Sequence, residues 1–306
     1  MTGQGKRYVI VSPVRDEEKY LPRTIESMVS QTVRPAQYVL IDDGSTDRTA
    51  EIIQEASRKH PWIRYARRPD RGERKVGPGV VEAFYDGMAA VTEPYDYIGK
   101  MDGDLSFGPK YFETVFEKFD RDPLLGGASG KLFLVLDDGS LAKERHADEM
   151  VVGGMQFYRR QCFEQMGGFV RQVMWDGIAY HRCRMAGWRT ASFPDKDLMI
   201  FDHRLMGSSY KSVYHGRIRW GWGQYFMGTH PLYLLAIGLY RMRERPFVVG
   251  GLLIMLGYLK GWISRSERYD YPGFRRSLRA WQFERLGLGK RLEKLPPMPA
   301  CGMQRT

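Results

Sequence analysis

Three apolar runs in the N-terminal half each stop at acidic residues, and each is followed by residues spaced for one face of a helix. Tyr8–Val11 leads through "SPVRDEE" to Leu21, Ile25, Met28 and Val29; Val39–Ile41 leads through Asp42–Ser45 to "RTAEIIQEA"; "YDYIGKM" leads through Asp102–Asp104 to "PKYFETVFEKF", with Pro109 suited to a first helical turn. A fourth helical stretch, "GVVEAFYDGMAAV", lies between the second and third runs. Short strand runs alternating with amphipathic helices predict a mostly parallel sheet covered on both faces. Such a sheet binds ligands beyond the carboxyl ends of its strands, where the strand order reverses. Both acidic loops fall at such ends.

Asp102 and Asp104 are separated only by Gly103. Two readings stand open. Asp and Gly are turn residues, so the triplet suits a surface turn. Two hard oxygen ligands on a tight turn also suit Mg²⁺ or Mn²⁺ held against a phosphate. Asp42 and Asp43 suit hydrogen bonds from a base N–H and from ribose hydroxyls, or helix capping, for which Ser45 and Thr46 are the better residues. Lys75, Gly77 and Gly79 make a basic, glycine-rich loop entering a helix, where backbone amides favour an anion such as a diphosphate; the alternative is a solvated linker.

The charge is unevenly placed. Of the net +11, residues 1–205 contribute about −1 and residues 206–306 about +12, from 17 Lys+Arg against 5 Asp+Glu. That asymmetry suits a polyanion or an anionic membrane. The same region holds apolar runs from Pro231 to Tyr240 and from Phe247 to Leu259, flanked by arginines. Each is shorter than the roughly 20 residues of a spanning helix. The second could stretch to Ile263 and span if Lys260 snorkels, but Gly250, Gly251 and Gly257 weaken it as a helix. In-plane or shallowly inserted helices are expected over a span, with a buried helical hairpin as the further alternative. The composition, 43% apolar and 27% charged, predicts one large α/β domain over 1–205 and a basic, aromatic-rich helical region over 206–306. Cys162, Cys183 and Cys301 form no disulfide framework, which suggests free thiols in a reducing compartment. The N-terminal run is too short for a signal peptide. His60, His146, His181, His215 and His230 lack zinc-site spacing.

"VSPVRDEEKYLPRTIESMVSQT", "YVLIDDGSTDRTAEII" and "GKMDGDLSF", in this order and spacing, resemble the N-terminal half of glycosyltransferase family 2, inverting nucleotide-sugar transferases of the GT-A fold. The likeness covers about residues 7–205. "MDGDLS" and "KVGPGVVEAFYDG" are most similar to the polyprenyl-phosphate mannose synthase branch. The resemblance implies a doubly wound mixed α/β sheet with a C-terminal membrane-associating helical region. It implies a UDP- or GDP-sugar donor bound by Pro13, Asp42, Asp43, Lys75, Gly77, Asp102 and Gly103. It also implies Mg²⁺ or Mn²⁺ on Asp104 and Asp102, with the downstream His203 reaching the metal or the diphosphate.

On the acceptor side, "MGGFVRQVMWDGIAYHRCRMAGWRT" matches the family frame that carries the general base and places Asp176 on it. Trp175 and Ile178 stand where the family has further acids; Trp175 would offer an aromatic wall to a sugar. A helix from Gly177 to Ala186 would keep the Asp176 carboxylate ionised. Arg219–Trp220 is similar to the arginine–tryptophan of processive polysaccharide synthases, but Gly216 replaces their glutamine and their long multispanning region is missing.

The expectation is an inverting glycosyltransferase on the cytoplasmic face of a membrane, peripheral or monotopic, acting on a saccharide hydroxyl, lipid-linked in the leading reading. A polyprenyl phosphate is the other acceptor; already an anion, it needs no base. The competing class is a non-catalytic nucleotide- or nucleic-acid-binding protein. The D-x-D and Asp176 argue against it, and no nucleic-acid partner is expected. A nucleotidyltransferase would need a glycine-rich N-terminal loop, which "VSPVRDEEKYL" does not supply.

Overall fold

The predicted alternation of strand, acidic loop and helix is what the chain adopts. The computed structural model describes residues 6–70, 72, 77–136, 138–204, 213–244 and 246–289. They fall into two units, one within Met1–Arg171 and Trp188–Leu205, the other within Gln172–Gly187 and Met206–Pro299. The second unit thus takes Gln172–Gly187, which the composition-based boundary at residue 205 had placed in the first.

The first unit runs β1 (Tyr8–Val14), α1 (Leu21–Val29), β2 (Gln37–Asp42), α2 (Thr49–Lys59), β3 (Ile63–Arg67), α3 (Pro78–Ala89), β4 (Tyr97–Met101), β5 (Leu105–Phe107), α4 (Tyr111–Arg121), β6 (Leu125–Gly130), β7 (Leu132–Val135), β8 (Leu141–Lys143), β9 (Met155–Arg159), α5 (Arg160–Gln165), β10 (Arg189–Phe193) and β11 (Ile200–Asp202). Seven strands form one sheet in the order β10-β6-β9-β4-β1-β2-β3. All neighbours are parallel except β9, which runs antiparallel between β4 and β6. The sheet is therefore mixed. Its order reverses at β1, with β2 on one side and β4 on the other. A second sheet, β5-β11-β7-β8, places β11 antiparallel to β5 and so brings Asp202 opposite Leu105.

β1, β2 and β4 are buried almost throughout because both of their faces are covered, with apolar stretches at Tyr8–Val11, Tyr38–Ile41 and Tyr97–Ile98 and the buried Lys100 near the end of β4. Tyr8, fully buried, packs its ring 4.5 Å from Phe112 and edge-on to Phe157 at 5.6 Å. Its hydroxyl donates to the Val33 carbonyl at 2.6 Å, so the buried phenol is satisfied. α4 contributes Tyr111, Phe112, Val115, Phe116 and Phe119 to this cluster, all from one helical face. Pro109 lies two residues before α4 rather than in its first turn; its carbonyl accepts from the Thr32 N–H at 2.9 Å.

The second unit is helical: α6 (Trp175–Met185), α7 (Val213–Met227), α8 (Pro231–Arg241), α9 (Val249–Ile263) and α10 (Phe274–Arg285). Tyr225, Leu234, Ile254 and Tyr258 form an apolar cluster. A buried polar chain ties four helices or their ends together. The Tyr258 hydroxyl donates to the Thr229 carbonyl at 2.8 Å, the Thr229 hydroxyl to Gln224 Oε1 at 2.7 Å, and the His230 N–H to Gln282 Oε1 at 2.9 Å. Among the described residues, no helix is long and apolar enough to cross a membrane.

Candidate functional site

Asp42 closes β2 and Asp102 follows β4, so both acidic loops stand at strand carboxyl ends beside the reversal at β1. The loop after β1 and the loop after β2 clasp each other. The Asp16 N–H donates to Ser45 Oγ at 3.0 Å, and Asp16 Oδ1 accepts from the Thr46 N–H at 2.8 Å. The Glu17 N–H donates to Thr49 Oγ1 at 2.7 Å, the Glu18 N–H to Asp47 Oδ2 at 3.0 Å, and Glu18 Oε2 accepts from the Arg48 N–H at 3.1 Å. Ser45 and Thr46 therefore do not cap α2. They hold Asp16, whose φ of 52° is a left-handed backbone that this network secures.

Asp42 is fully buried. Its Oδ1 accepts from the Ser45 N–H at 2.7 Å, and its Oδ2 lies 3.4 Å from the Tyr65 hydroxyl and 3.5 Å from Arg67 Nε. This corrects its expected contact with a nucleoside: the carboxylate is turned inward and shapes the loop. Asp43 pairs with Arg68 at 2.6 Å, and its carbonyl accepts from Arg15 Nη1 at 2.9 Å. Arg15 also reaches Asp70 at 2.9 Å, and Arg68 reaches Asp86 at 2.6 Å. Gly44, at φ +81°, lets this loop press on Asp70, whose Cα lies 2.6 Å from where a methyl group would stand. Pro13, half-buried on β1, pairs in register with Ile41. Gly77, at φ +85°, caps α3; Lys75 lies outside the described residues.

The turn after β4 is tightly held. The Asp102 N–H donates to the Gly154 carbonyl at 2.8 Å. The buried Thr24 hydroxyl lies 2.9 Å from the Gly103 carbonyl and 2.7 Å from that of Leu105. A side chain at Gly103 would collide with Val14. The two like charges are tolerated because each has its own cation. The buried Lys100 ammonium bonds Asp102. Arg204 Nε lies 3.2 Å from Asp104 Oδ2, while the same guanidinium bonds the buried Glu17. Burial pushes the Asp104 carboxyl up to about 6, and the Asp102 charge adds to the effect. Burial also pushes Asp202 up to about 7, with Asp104 the next cause. The sequence reading found Asp102 and Asp104 but missed Lys100, Glu17, Asp202 and Arg204. Only Lys100, two residues from Asp102 and hence on the same side of an extended chain, left a local trace.

The expected metal set of Asp102, Asp104 and His203 does not assemble. His203 Nε2 sits 2.7 Å from Ser106 Oγ and its Nδ1 3.2 Å from Arg23 Nη1, so both ring nitrogens are engaged. Among the described residues, no three His, Cys, Asp or Glu side chains converge on a point. Asp102 and Asp104 alone still fit a hard divalent ion. They are carboxylates separated by one residue that repel each other and Asp202. The buried Arg204 Nε beside Asp104, with no hydrogen bond aligned to it, is a cationic donor and suits an anion rather than the ion.

Four candidates lie in the second unit. Asp176 is exposed in the first turn of α6, which starts at Trp175 rather than at Gly177, so Met174, not Asp176, is the capping residue. An acid there complements the helix N-terminus. Trp175 and Arg219 are half-buried. Trp220 packs against the Tyr225 cluster, with the Arg241 guanidinium 5.6 Å from its ring centre.

Residues 9–130 match the family described as Glycosyl transferase family 2. Over 120 residues the chain is 31% identical to the chondroitin synthase of Escherichia coli, an alignment covering 38% of this chain and 16% of that protein. The chain thus spans under a fifth of this curated relative's length. Among solved structures, the mannosyltransferase PcManGT from Pyrobaculum calidifontis, in complex with GDP-Man and Mn²⁺, superposes with a TM-score of 0.53 at 14% identity, covering 92% of this chain and 83% of that one. The TarS fragment 1–349 of S. aureus with UDP-GlcNAc gives 0.52 at 13% identity, covering 84% and 73%. At such identities the likeness concerns the fold: an α/β mixed sheet matching GT-A glycosyltransferases.

Proposed function

We propose, from the premise that residues 9–130 are a glycosyl transferase family 2 domain, that the chain transfers a sugar from a nucleotide-diphosphate donor to a hydroxyl of a lipid-linked saccharide in polysaccharide or glycolipid assembly. The observation that supports this most is the D-G-D turn at the carboxyl end of β4, beside the reversal of strand order at β1. Relatives and neighbours agree in kind: a chondroitin synthase in sequence, and folds solved with GDP-Man and with UDP-GlcNAc.

Asp102 and Asp104 would hold Mg²⁺ or Mn²⁺, which neutralises the leaving diphosphate when bound. Arg15 and Arg68 brace the loop after β2 so that its backbone keeps one shape. Asp176 would take the acceptor hydroxyl's proton as its oxygen attacks the anomeric carbon and the bond to the diphosphate oxygen breaks. Its exposed carboxylate, in the first turn of α6, is open to an approaching acceptor. A polyprenyl-phosphate acceptor would leave Asp176 without that task.

The test uses the purified full chain, a panel of UDP- and GDP-sugars and Mn²⁺ or Mg²⁺, with nucleoside diphosphate release as the readout. Asp104→Asn should abolish turnover of the productive donor. Asp176→Asn should slow transfer to a hydroxyl by roughly 10²–10⁴-fold with donor binding intact. If calorimetry found no nucleotide sugar bound and none were turned over, the reading would fall. An undiminished rate in Asp176→Asn would move the acceptor to a phosphate.

A further inference from the structure

α9 is built inside out. Its buried positions are Gly250, Gly251, Ile254, Gly257, Tyr258 and Gly261, while Leu252, Leu256, Leu259 and Ile263 are exposed by 44–68%. Exposed residues at spacings of four, three and four form one stripe on a 3.6-residue helix, and the glycines form the opposite stripe. A helix of a water-soluble bundle does the reverse.

The glycines let helix backbones touch. A methyl group at Gly257 would overlap the Ile218 carbonyl of α7, and one at Gly221 of α7 would overlap the Ile254 carbonyl. One at Gly251 would overlap the Gly238 carbonyl of α8. Small residues at helix contacts with leucines turned outward are how helices pack when their surroundings are as apolar as the leucines. α8 continues the outward face with Leu232, Leu235 and Leu239, each about half exposed, at spacings of three and four.

Exposed Arg243 precedes α9, and exposed Lys260 and Arg265 stand at its far end. Trp262, 60% exposed, lies beside them. A groove of about 490 Å³ lined by Ile218, Leu256, Leu259, Lys260, Ile263 and Ser264 opens on the same stripe. Apolar centre, aromatic margin and basic ends match one leaflet of an anionic bilayer. They do not match a second copy, whose identical basic ends would repel these. α9 has 15 residues, about 22 Å, against the roughly 30 Å of a hydrocarbon core, so it cannot cross.

We infer that the leucine faces of α8 and α9 are a docking surface for anionic lipid, embedded in one leaflet with the helix axes lying along the membrane. This stands apart from the sugar-transfer chemistry, and its test uses no nucleotide sugar. The full chain is floated with vesicles of phosphatidylcholine, alone or mixed with phosphatidylglycerol. It should partition onto the mixed vesicles, and the triple variant Leu252→Gln/Leu256→Gln/Leu259→Gln should do so roughly tenfold less or weaker still. These side chains are already half exposed, so unchanged circular dichroism is expected. As a second measure, a polarity-sensitive dye on Leu256→Cys should shift to the blue on adding mixed vesicles. Undiminished binding by the triple variant, no binding by either protein, or a dye that stays in water would overturn the inference. So would equal binding to neutral vesicles, or a dimer in solution that the triple variant dissolves.

Discussion

At Arg204 one guanidinium is shared between Glu17 and Asp104, across a separation of 187 residues to the first. Because Glu17 is buried, Arg204→Met strips that carboxylate of its cation and should cost about 3–5 kcal/mol in urea unfolding. Arg204→Met combined with Glu17→Leu should recover most of the loss; a double variant as weak as the single would refute the pairing. A second residue-scale expectation concerns acid. Burial holds His181 well below its ordinary value and lowers His146 to about 4. The folded chain thus keeps both rings neutral where the unfolded chain would protonate them near 6.5, so these two histidines cost stability as pH drops from about 6.5 toward 4. Asp104 and Asp202, raised to about 6 and about 7, act in the opposite sense over the same window, so the histidine contribution is read as a difference between two proteins. Urea midpoints of His181→Phe, which preserves ring contacts with Phe274 and Trp281, should rise relative to those of the unaltered chain as pH falls across that window.

Among the elements, α7 and α9 offer the sharpest contrast. Gly221→Ala places a methyl group on the Ile254 carbonyl and should destabilise by about 1–3 kcal/mol. Gly216→Ala in the same helix meets nothing within 4 Å and should stabilise by about 0.5–1 kcal/mol. Thermal unfolding of the two variants checks both signs. The glycines of α9 also mark where reading the chain fell short. In sequence they weaken an apolar helix; in the fold they are its packing face, and nothing local tells which side of a helix meets another backbone. β1 and β2 were legible because burial on both faces writes itself as the apolar runs Tyr8–Val11 and Tyr38–Ile41, and β4 was legible despite the buried Lys100 because strand-forming Tyr97 and Ile98 precede it. The acidic turn after β4 was legible because strand end and carboxylates adjoin. The ring hydrogen bonds that turn His203 aside, and the inward carboxylate of Asp42, depend on Ser106, Arg23, Tyr65 and Arg67, whose approach only the folded chain decides.

For the molecule as a whole, the charge division assigns ionic strength a selective effect. The first 205 residues are nearly neutral and the last 101 carry about +12. Raising salt from about 0.05 to about 0.5 M shortens screening from over 10 Å to under 5 Å. Partition onto anionic vesicles should then drop roughly tenfold, while nucleotide-sugar affinity, measured by calorimetry in the same buffers, should change far less. An equal fall in both would mean that the basic excess serves the donor. The reciprocal clasp between the segments after β1 and β2 bears on how such chains can diverge. In these bonds a side chain of one segment meets a backbone N–H of the other: Ser45, Thr49 and Asp47 accept from residues 16, 17 and 18, and Asp16 and Glu18 accept from residues 46 and 48. Each segment therefore carries its own acceptors and asks of the other only a backbone amide, so a chimera receiving one of them can keep the clasp, provided no proline stands at an amide that donates.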